Sequence, residues 1–157
     1  MIVIGIDPGI ARVGYGVVES RGKTLVPITY GCITTNRENS TGSSRLQEIF
    51  HAINELIEAH SPASLAIERL FFTKNISSAM AVSEVRGVIL LAAAEHELPV
   101  SEYTPNEVKQ AVTGSGKADK KQMQKMIRSI LALSEEPRPD DAADGLSIAV
   151  CHLHVRR

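Results

Sequence analysis

Apolar and polar residues alternate in short blocks at the start of the chain, a pattern typical of β-strands. Residues 2–7, roughly 13–20 and 24–34 are rich in valine, isoleucine, threonine and tyrosine. The turns between them, at Pro8-Gly9 and at residues 21–23, are short. Because connections of this length join antiparallel neighbours, the three strands are predicted to form an antiparallel sheet.

A helical period replaces the strand pattern after the polar segment "NRENSTGSS", in which Thr41 or Ser43 is a candidate helix cap. Apolar residues then recur at intervals of three and four, which predicts an amphipathic helix with one face on a core. The members of this stripe are Leu46, Ile49, Phe50, Ile53, Leu56 and Ile57.

Two further strands are predicted in the second half of the chain, at residues 64–68 ("SLAIE") and 99–103. Between them, residues 77–97 are apolar on nearly every side. This helix is therefore predicted to be either buried in its own core or covered by a partner chain, and Gly87 would permit close approach of the partner. If it is a dimer contact, Val88→Lys is expected to disturb the association.

The last third of the chain predicts three helices. Thr104, Pro105 and Glu107 form a capping box that starts the first, a basic helix covers 118–133, and the last begins at "PDDAAD". Three antiparallel strands followed by strand–helix–strand–helix units predict an α/β fold, a mixed five-stranded sheet with helices on both faces. A length of 157 residues fits a single domain, 1–157.

The composition is that of an ordinary soluble protein, with 43% hydrophobic and 22% charged residues. We see neither a stretch that would span a bilayer nor a signal peptide, which predicts a cytoplasmic protein without membrane contact.

Cys32 and Cys151 are interpreted as reduced core thiols. His152 and His154 point to different helix faces, so a shared zinc ion is not expected. A net charge of −1 makes the local distribution of charge more informative than the total.

Acidic residues stand where several of the predicted elements begin or end. Asp7 ends the first strand and Glu68 the fourth. If these strands are parallel neighbours, both carboxylates emerge at the same end of the sheet. Asp141 and Asp144 are three residues apart, so they project from one face of the last helix at its first turn.

Each acid has a simpler interpretation when taken alone. Asp140 or Asp141 could cap the last helix, Asp7 could cap a turn, and Glu68 could pair with Arg69 or Arg12. Together, however, the carboxylates would repel one another unless protons or cations neutralise them. An oxygen-only donor set favours Mg²⁺ or Mn²⁺ over zinc. Two such ions roughly 4 Å apart form the clamp used in phosphodiester hydrolysis.

Four blocks of sequence, in order along the whole chain, resemble the RuvC family of Holliday junction resolvases, which has the ribonuclease H-like fold. They are "GIDPG" with "RVGYGV", "AIERLFFTKN", "EVKQAVTGSGKADKKQM" and "DDAADGLSIA". The resemblance implies a homodimeric, Mg²⁺-dependent endonuclease that makes two symmetric nicks in four-way junction DNA. It also implies branch-migration partners of the RuvA and RuvB type.

By position, the resemblance places the family's catalytic, metal-binding acids on Asp7, Glu68, Asp141 and Asp144. Asp140 is a departure, because the family pattern has one acid at the start of "DAAD" and this chain has two. Some relatives have a histidine at the position of Asp141.

The resemblance also places an aromatic DNA contact on Phe71 and basic contacts on Lys109 and Lys120. An outward-facing Phe71 could stack on an unpaired base at a branch point, although Phe71 and Phe72 could instead both pack locally. The remaining candidate DNA contacts are Lys74, Lys117, Lys121, Lys125 and Arg128. The last three are predicted to lie opposite Met126, Ile127 and Ile130 on one helix, as phosphate contacts or simply as a solvated face.

Other functions fit the residues less well. "TGSGKADK" lacks the Walker pattern, because Ala111 and Ala118 stand where glycine and serine or threonine are required. "GIDPG…GYG" is also similar to the first phosphate-binding hairpin of actin-like ATPases and sugar kinases, which need two domains. A non-catalytic junction-binding module of the same fold remains the non-enzymatic alternative.

Overall fold

A computed structural model of the chain describes residues 1–36, 42–70 and 75–156. Within them the strands are β1 (Ile2–Asp7), β2 (Arg12–Arg21), β3 (Thr24–Thr34), β4 (Ser64–Glu68) and β5 (Val100–Tyr103). The helices are α1 (Gly42–His60), α2 (Ile76–Glu95), α3 (Pro105–Thr113), α4 (Lys120–Ile130) and α5 (Asp140–Val155). Each element predicted from the hydrophobic pattern is present, with shifts of a few residues at its ends.

The five strands form one mixed sheet in the order β3-β2-β1-β4-β5. β1 is antiparallel to β2 and β2 to β3, whereas β1 and β4, and β4 and β5, are parallel. Ile6 is opposite Ile67 in the register of β1 and β4. The residues that follow, Asp7 and Glu68, therefore end neighbouring strands at the same edge of the sheet, as the sequence predicts.

Helices cover both faces of the sheet, and neighbouring residues of β1 show how the core divides. Val3 packs in a cluster with residues of α3, α4 and α5, whereas Ile4 packs in a cluster with residues of α1 and α2. This alternation follows from the two-residue period of a strand, which sends successive side chains to opposite faces. The predicted α/β fold, a mixed five-stranded sheet with helices on both faces, is confirmed.

Glycines allow α5 to lie directly on the backbone of β1 and β2. A Cβ atom on Gly14 would lie 1.9 Å from the Asp141 carbonyl oxygen, and one on Gly145 would lie 2.5 Å from backbone atoms of Tyr15. Gly5 faces the same helix, and a Cβ atom on Gly5 would lie 2.3 Å from the Gly145 carbonyl oxygen. Because these glycines carry no Cβ atom, the first turn of α5 can lie close to the end of β1.

Replacing Gly145 with alanine is expected to push α5 away from β2. Overpacking of this kind costs about 1–3 kcal/mol of stability. A matched control is Gly42→Ala, because a Cβ there meets no atom within 4 Å. Thermal unfolding should show a lower midpoint for Gly145→Ala only. Equal midpoints for the two variants would contradict this packing argument.

Helix α2 is neither buried all round nor uniformly exposed. Val85, Ile89 and Ala92 are fully buried, whereas Ile76 and Leu91 are 73% and 54% exposed. By length and hydropathy α2 could span a membrane, contrary to the expectation that no stretch is long enough. Its buried face packs on α1 and the sheet, however, as expected of a core helix.

The helix starts show which capping predictions hold. Thr104 and Glu107 form the predicted capping box. The prediction that Asp140 or Asp141 caps α5 is wrong, because Pro139 occupies the N-cap position and no side chain caps this end. Ser43 lies inside α1 rather than before it, and Thr41 lies outside the described residues.

Candidate active site

Three of the four predicted acids meet in one cavity. Asp7 and Glu68 enter it from the ends of β1 and β4, and Asp144 enters from the first turns of α5. The cavity has a volume of about 330 Å³ and is also lined by Lys109 and Lys120. Apolar side chains complete its wall: Val108, Ala118, Met123 and Ile148.

Burial and mutual repulsion make these carboxyl groups reluctant to ionise. The pKa of Asp7 is raised from 3.8 to about 8, first by burial and then by the charges of Glu68 and Asp144. Burial also raises the pKa of Glu68, although a hydrogen bond from the Asp7 carboxyl group works in the opposite direction. The pKa of Asp144 is raised by burial, with the Lys120 charge opposing the shift. Without cations, Asp7 therefore tends to hold a proton at neutral pH.

Asp141 and Asp140 have different surroundings although they are adjacent in sequence. Asp141 Oδ2 lies 3.0 Å from Arg12 Nε, and the charge of Asp141 contributes to the raised pKa of Asp7. Asp140 instead pairs with Lys120, at 3.2 Å, and accepts a hydrogen bond from Gln124, at 2.9 Å. The Lys120 hydrogen bond lowers the pKa of Asp140. Asp141 thus belongs to the edge of the acid cluster, whereas Asp140 holds Lys120.

The ion pairs predicted for Glu68 are not formed in the structure. Arg12 pairs with Asp141, and Arg69 Nε lies 3.8 Å from Glu102 Oε2. The carbonyl oxygen of Glu68 accepts a hydrogen bond from Arg86 instead. Sequence reasoning missed Arg86, although an arginine inside the apolar run of α2 was an available signal.

The chemistry of the acid cluster fits hard divalent cations. All of its donors are carboxylate oxygens, the type that Mg²⁺ and Mn²⁺ prefer. Among the residues described, no three acidic, histidine or cysteine side chains are already gathered at metal-binding distances. Burial raises the pKa of Asp7 most, and the repulsion by Glu68 and Asp144 that adds to this shift is the interaction that bound cations would remove.

The predicted basic contacts divide into two groups. Lys109 and Lys120 line the acidic cavity itself. Lys117 and Lys125 line a neighbouring groove of about 550 Å³, and Lys121 is exposed. Arg128 Nη2 donates to the Ser134 carbonyl oxygen at 2.8 Å and lies farther along α4.

One side of α4 differs from the prediction. Met126 is 38% exposed rather than facing the core, and it lies in the groove with Lys125. Ile127 is fully buried, and Met123 and Ile130 pack against the same core. The predicted aromatic and basic contacts Phe71 and Lys74, with Phe72, lie outside the described residues.

The two cysteines, and the two histidines near the end of the chain, lie among structural neighbours. Cys32 is half-buried and Cys151 fully buried, and both are free thiols. His152 is buried between Ser64 Oγ, at 2.9 Å, and the Tyr103 hydroxyl, at 2.8 Å, and burial lowers its pKa. His154 instead contacts the Ala111 carbonyl oxygen. The two histidines therefore contact different neighbours, in agreement with the prediction that they point to different helix faces.

Comparison with known proteins agrees with the fold. The family model described as crossover junction endodeoxyribonuclease RuvC matches residues 3–152. The chain is 52% identical to the protein of that name from Alkaliphilus metalliredigens, with 98% of this chain and 93% of that protein covered. It is 53% identical to the one from Moorella thermoacetica, with 97% and 90% covered.

A solved structure described as Thermus thermophilus RuvC in complex with Holliday junction substrate superposes with a TM-score of 0.95. The sequences are 36% identical, and the match covers 100% of this chain and 95% of that one. Family model, relatives and structure agree over nearly the full length, so this chain belongs to the RuvC family of crossover junction endodeoxyribonucleases.

Proposed function

We propose that this chain resolves four-way DNA junctions by hydrolysing two symmetrically placed phosphodiester bonds, during recombination and repair. The observation that carries the proposal is the meeting of Asp7, Glu68 and Asp144 in a cavity that also contains two lysines. Close similarity to a relative solved with Holliday junction substrate supports the choice of DNA. The single domain, 1–157, would hold the complete site.

The acids are proposed to bind two Mg²⁺ ions, or Mn²⁺ in their place, through Asp7, Glu68, Asp141 and Asp144. When bound, the ions would activate water and stabilise the leaving oxygen. Lys120, held by Asp140, and Lys109 face the same cavity and would neutralise charge on the phosphate oxygens. Val108, Met123 and Ile148 form an apolar wall beside the acids in this cavity.

Cleavage of a synthetic four-way junction tests the proposal. With Mg²⁺, the full chain should place paired nicks at symmetric positions in the junction and leave a linear duplex of the same sequence intact. Binding without nicking would instead support the non-catalytic module. Loss of both binding and nicking would contradict the proposed function entirely.

DNA outside the active site is proposed to follow the basic residues of the α3–α4 region. Lys117, Lys121, Lys125 and Arg128 would contact phosphates and make binding depend strongly on salt. Lys74, six residues after Glu68 in sequence, is proposed as a further contact.

For Phe71→Ala, we expect weak cutting of intact junctions and better cutting of junctions with unpaired bases at the branch point. The reason is that stacking on a base contributes about 1–3 kcal/mol, which an already open junction no longer requires. Cleavage rates on the two substrates provide the comparison. An equal loss on both would show that Phe71 does not hold the branch point open.

A homodimer is proposed to form through the exposed apolar face of α2. Ile76, Met80 and Leu91 are 73%, 64% and 54% exposed, and Gly87 lies between them on the same face. A two-fold dimer would present two identical active sites to the two related strands of a junction. We also propose a cytoplasmic location and partners of the RuvA and RuvB type, on the basis of family membership.

Leu91→Lys is expected to shift the chain from dimer to monomer, because it puts a charge in the proposed apolar contact. Val88→Lys is a poorer test than the sequence suggests, since Val88 packs partly against the core. Gln47→Lys, on the exposed face of α1, is the control with the same change in charge. Sedimentation at several concentrations measures the mass, and identical profiles for Leu91→Lys and wild type would reject this interface.

A further inference from the structure

Helix α2 places an arginine in the protein interior, directly behind the acid cluster. Arg86 is only 8% exposed and lies on the buried face that also carries Val85 and Ile89. A buried guanidinium is unfavourable unless its donors are paired, so its partners indicate what it does.

Both partners of Arg86 lie where strands reach the active-site edge of the sheet. Its Nη1 donates to the carbonyl oxygen of Glu68, the last residue of β4. Its Nη2 lies 3.2 Å from Glu102 Oε2, and Glu102 is opposite Ile67 in the register of β4 and β5. The guanidinium thus bridges the two strands at the point where Glu68 leaves the sheet.

The N–H of the same peptide group is held as well. The amide of Arg69 donates to the Tyr103 carbonyl oxygen at 2.7 Å, which extends the β4–β5 pairing by one step. With the Arg86 hydrogen bond, the main chain on the C-terminal side of Glu68 is fixed by two contacts. The direction in which the Glu68 carboxylate enters the cavity depends on this backbone.

We propose that Arg86 is a positioning residue for Glu68, acting through the Glu68 carbonyl group with Glu102 as its anchor. The inference rests on the proposed function, because it treats Glu68 as one of the acids that bind divalent cations. Arg86 itself does not line the acidic cavity. Its effect is therefore expected in cation affinity rather than in direct contact with DNA.

Three variants distinguish an effect on the position of Glu68 from a general loss of protein stability. Arg86→Met removes both contacts. Arg86→Lys keeps the charge but cannot reproduce the two-pronged geometry of a guanidinium. Ile53→Ala is the control, since Ile53 is fully buried on α1 and belongs to the core rather than to the acid cavity.

The measurement is calorimetric titration of Mn²⁺ into each metal-free full-length variant, together with its melting temperature. Arg86→Met should bind Mn²⁺ about 10-fold more weakly or worse, the scale of effect seen for residues that orient metal ligands. Arg86→Lys should lie between Arg86→Met and wild type. Ile53→Ala should melt earlier but keep wild-type Mn²⁺ affinity.

Wild-type Mn²⁺ affinity in Arg86→Met would overturn the proposal, whatever its melting temperature. If that variant does not fold, Arg86→Lys and Glu102→Gln decide by the same titration, and unchanged affinity in both would overturn it. Cleavage gives a second readout, because lost positioning should raise the Mg²⁺ concentration needed for half-maximal rate. An Asp7→Asn variant with wild-type Mn²⁺ affinity would contradict the proposed function itself, and so distinguishes the two failures.

Discussion

Asp7→Asn is expected to abolish junction cleavage while leaving junction binding largely intact. Asp7 lies at the centre of the acid cluster, where Glu68, Asp144 and Asp141 all act on its pKa. An amide of nearly the same shape removes the negative charge that cations require. We expect a loss of about 10³-fold or more in rate, at least the scale of removing one preorganised group that stabilises charge.

Asp140→Asn is the matched control for this prediction. Asp140 is exposed, carries the same functional group and lies one residue from Asp141, but it pairs with Lys120. Its loss should reduce the rate far less than the loss of Asp7. Single-turnover cleavage and a binding assay in EDTA measure the two properties separately. Full cutting by Asp7→Asn with Mg²⁺ present would defeat the proposed mechanism.

The same substitution is expected to stabilise the metal-free protein at alkaline pH. The pKa of Asp7 is about 8 in the folded protein and near 3.8 in the unfolded chain. Between these values the folded state holds more protons, so the free energy of unfolding falls as pH rises. For one proton the slope is at most about 1.4 kcal/mol per pH unit, which accumulates to several kcal/mol. An asparagine side chain cannot ionise, so the free energy of unfolding of the Asp7→Asn variant does not fall with pH for this reason.

Urea unfolding in EDTA at pH 5 and pH 8 measures the effect. Asp7→Asn should exceed wild type in stability by more at pH 8 than at pH 5. Taking the difference between the two proteins removes contributions common to both, such as that of His152, whose pKa is lowered by burial. A difference that is independent of pH, or a less stable variant at pH 8, would contradict the proposed burial and repulsion at Asp7.

Features determined by local sequence were predictable. The strand ends that carry Asp7 and Glu68 follow from runs of β-forming residues, and the Thr104 capping box depends on neighbouring residues only. The connection from β3 through α1 to β4 favours a parallel direction for β4, whereas its position beside β1 is a condition of the sequence argument that the structure fulfils. Given that condition, the convergence of Asp7 and Glu68 at one edge follows from the strand ends.

Features that depend on contacts distant in sequence were not predictable. The separate roles of Asp140 and Asp141 depend on where α4 places Lys120 and where the β1–β2 turn places Arg12. The close approach of α5 depends on which sheet residue faces Gly145, a fact of tertiary packing. The hydrophobic pattern predicts the wrong side of α4 for Met126, because an exposed methionine cannot be told from a buried one in such a pattern.

Binding of Mn²⁺ to the metal-free full-length chain tests the central claim most directly, because the claim is that separated carboxylates converge to hold divalent cations. The wild type should give a saturable calorimetric isotherm, Asp7→Asn should bind at least about 10-fold more weakly, and Asp140→Asn should stay close to wild type. Absence of Mn²⁺ binding by the wild type, or equal affinity in wild type and Asp7→Asn, would contradict the account.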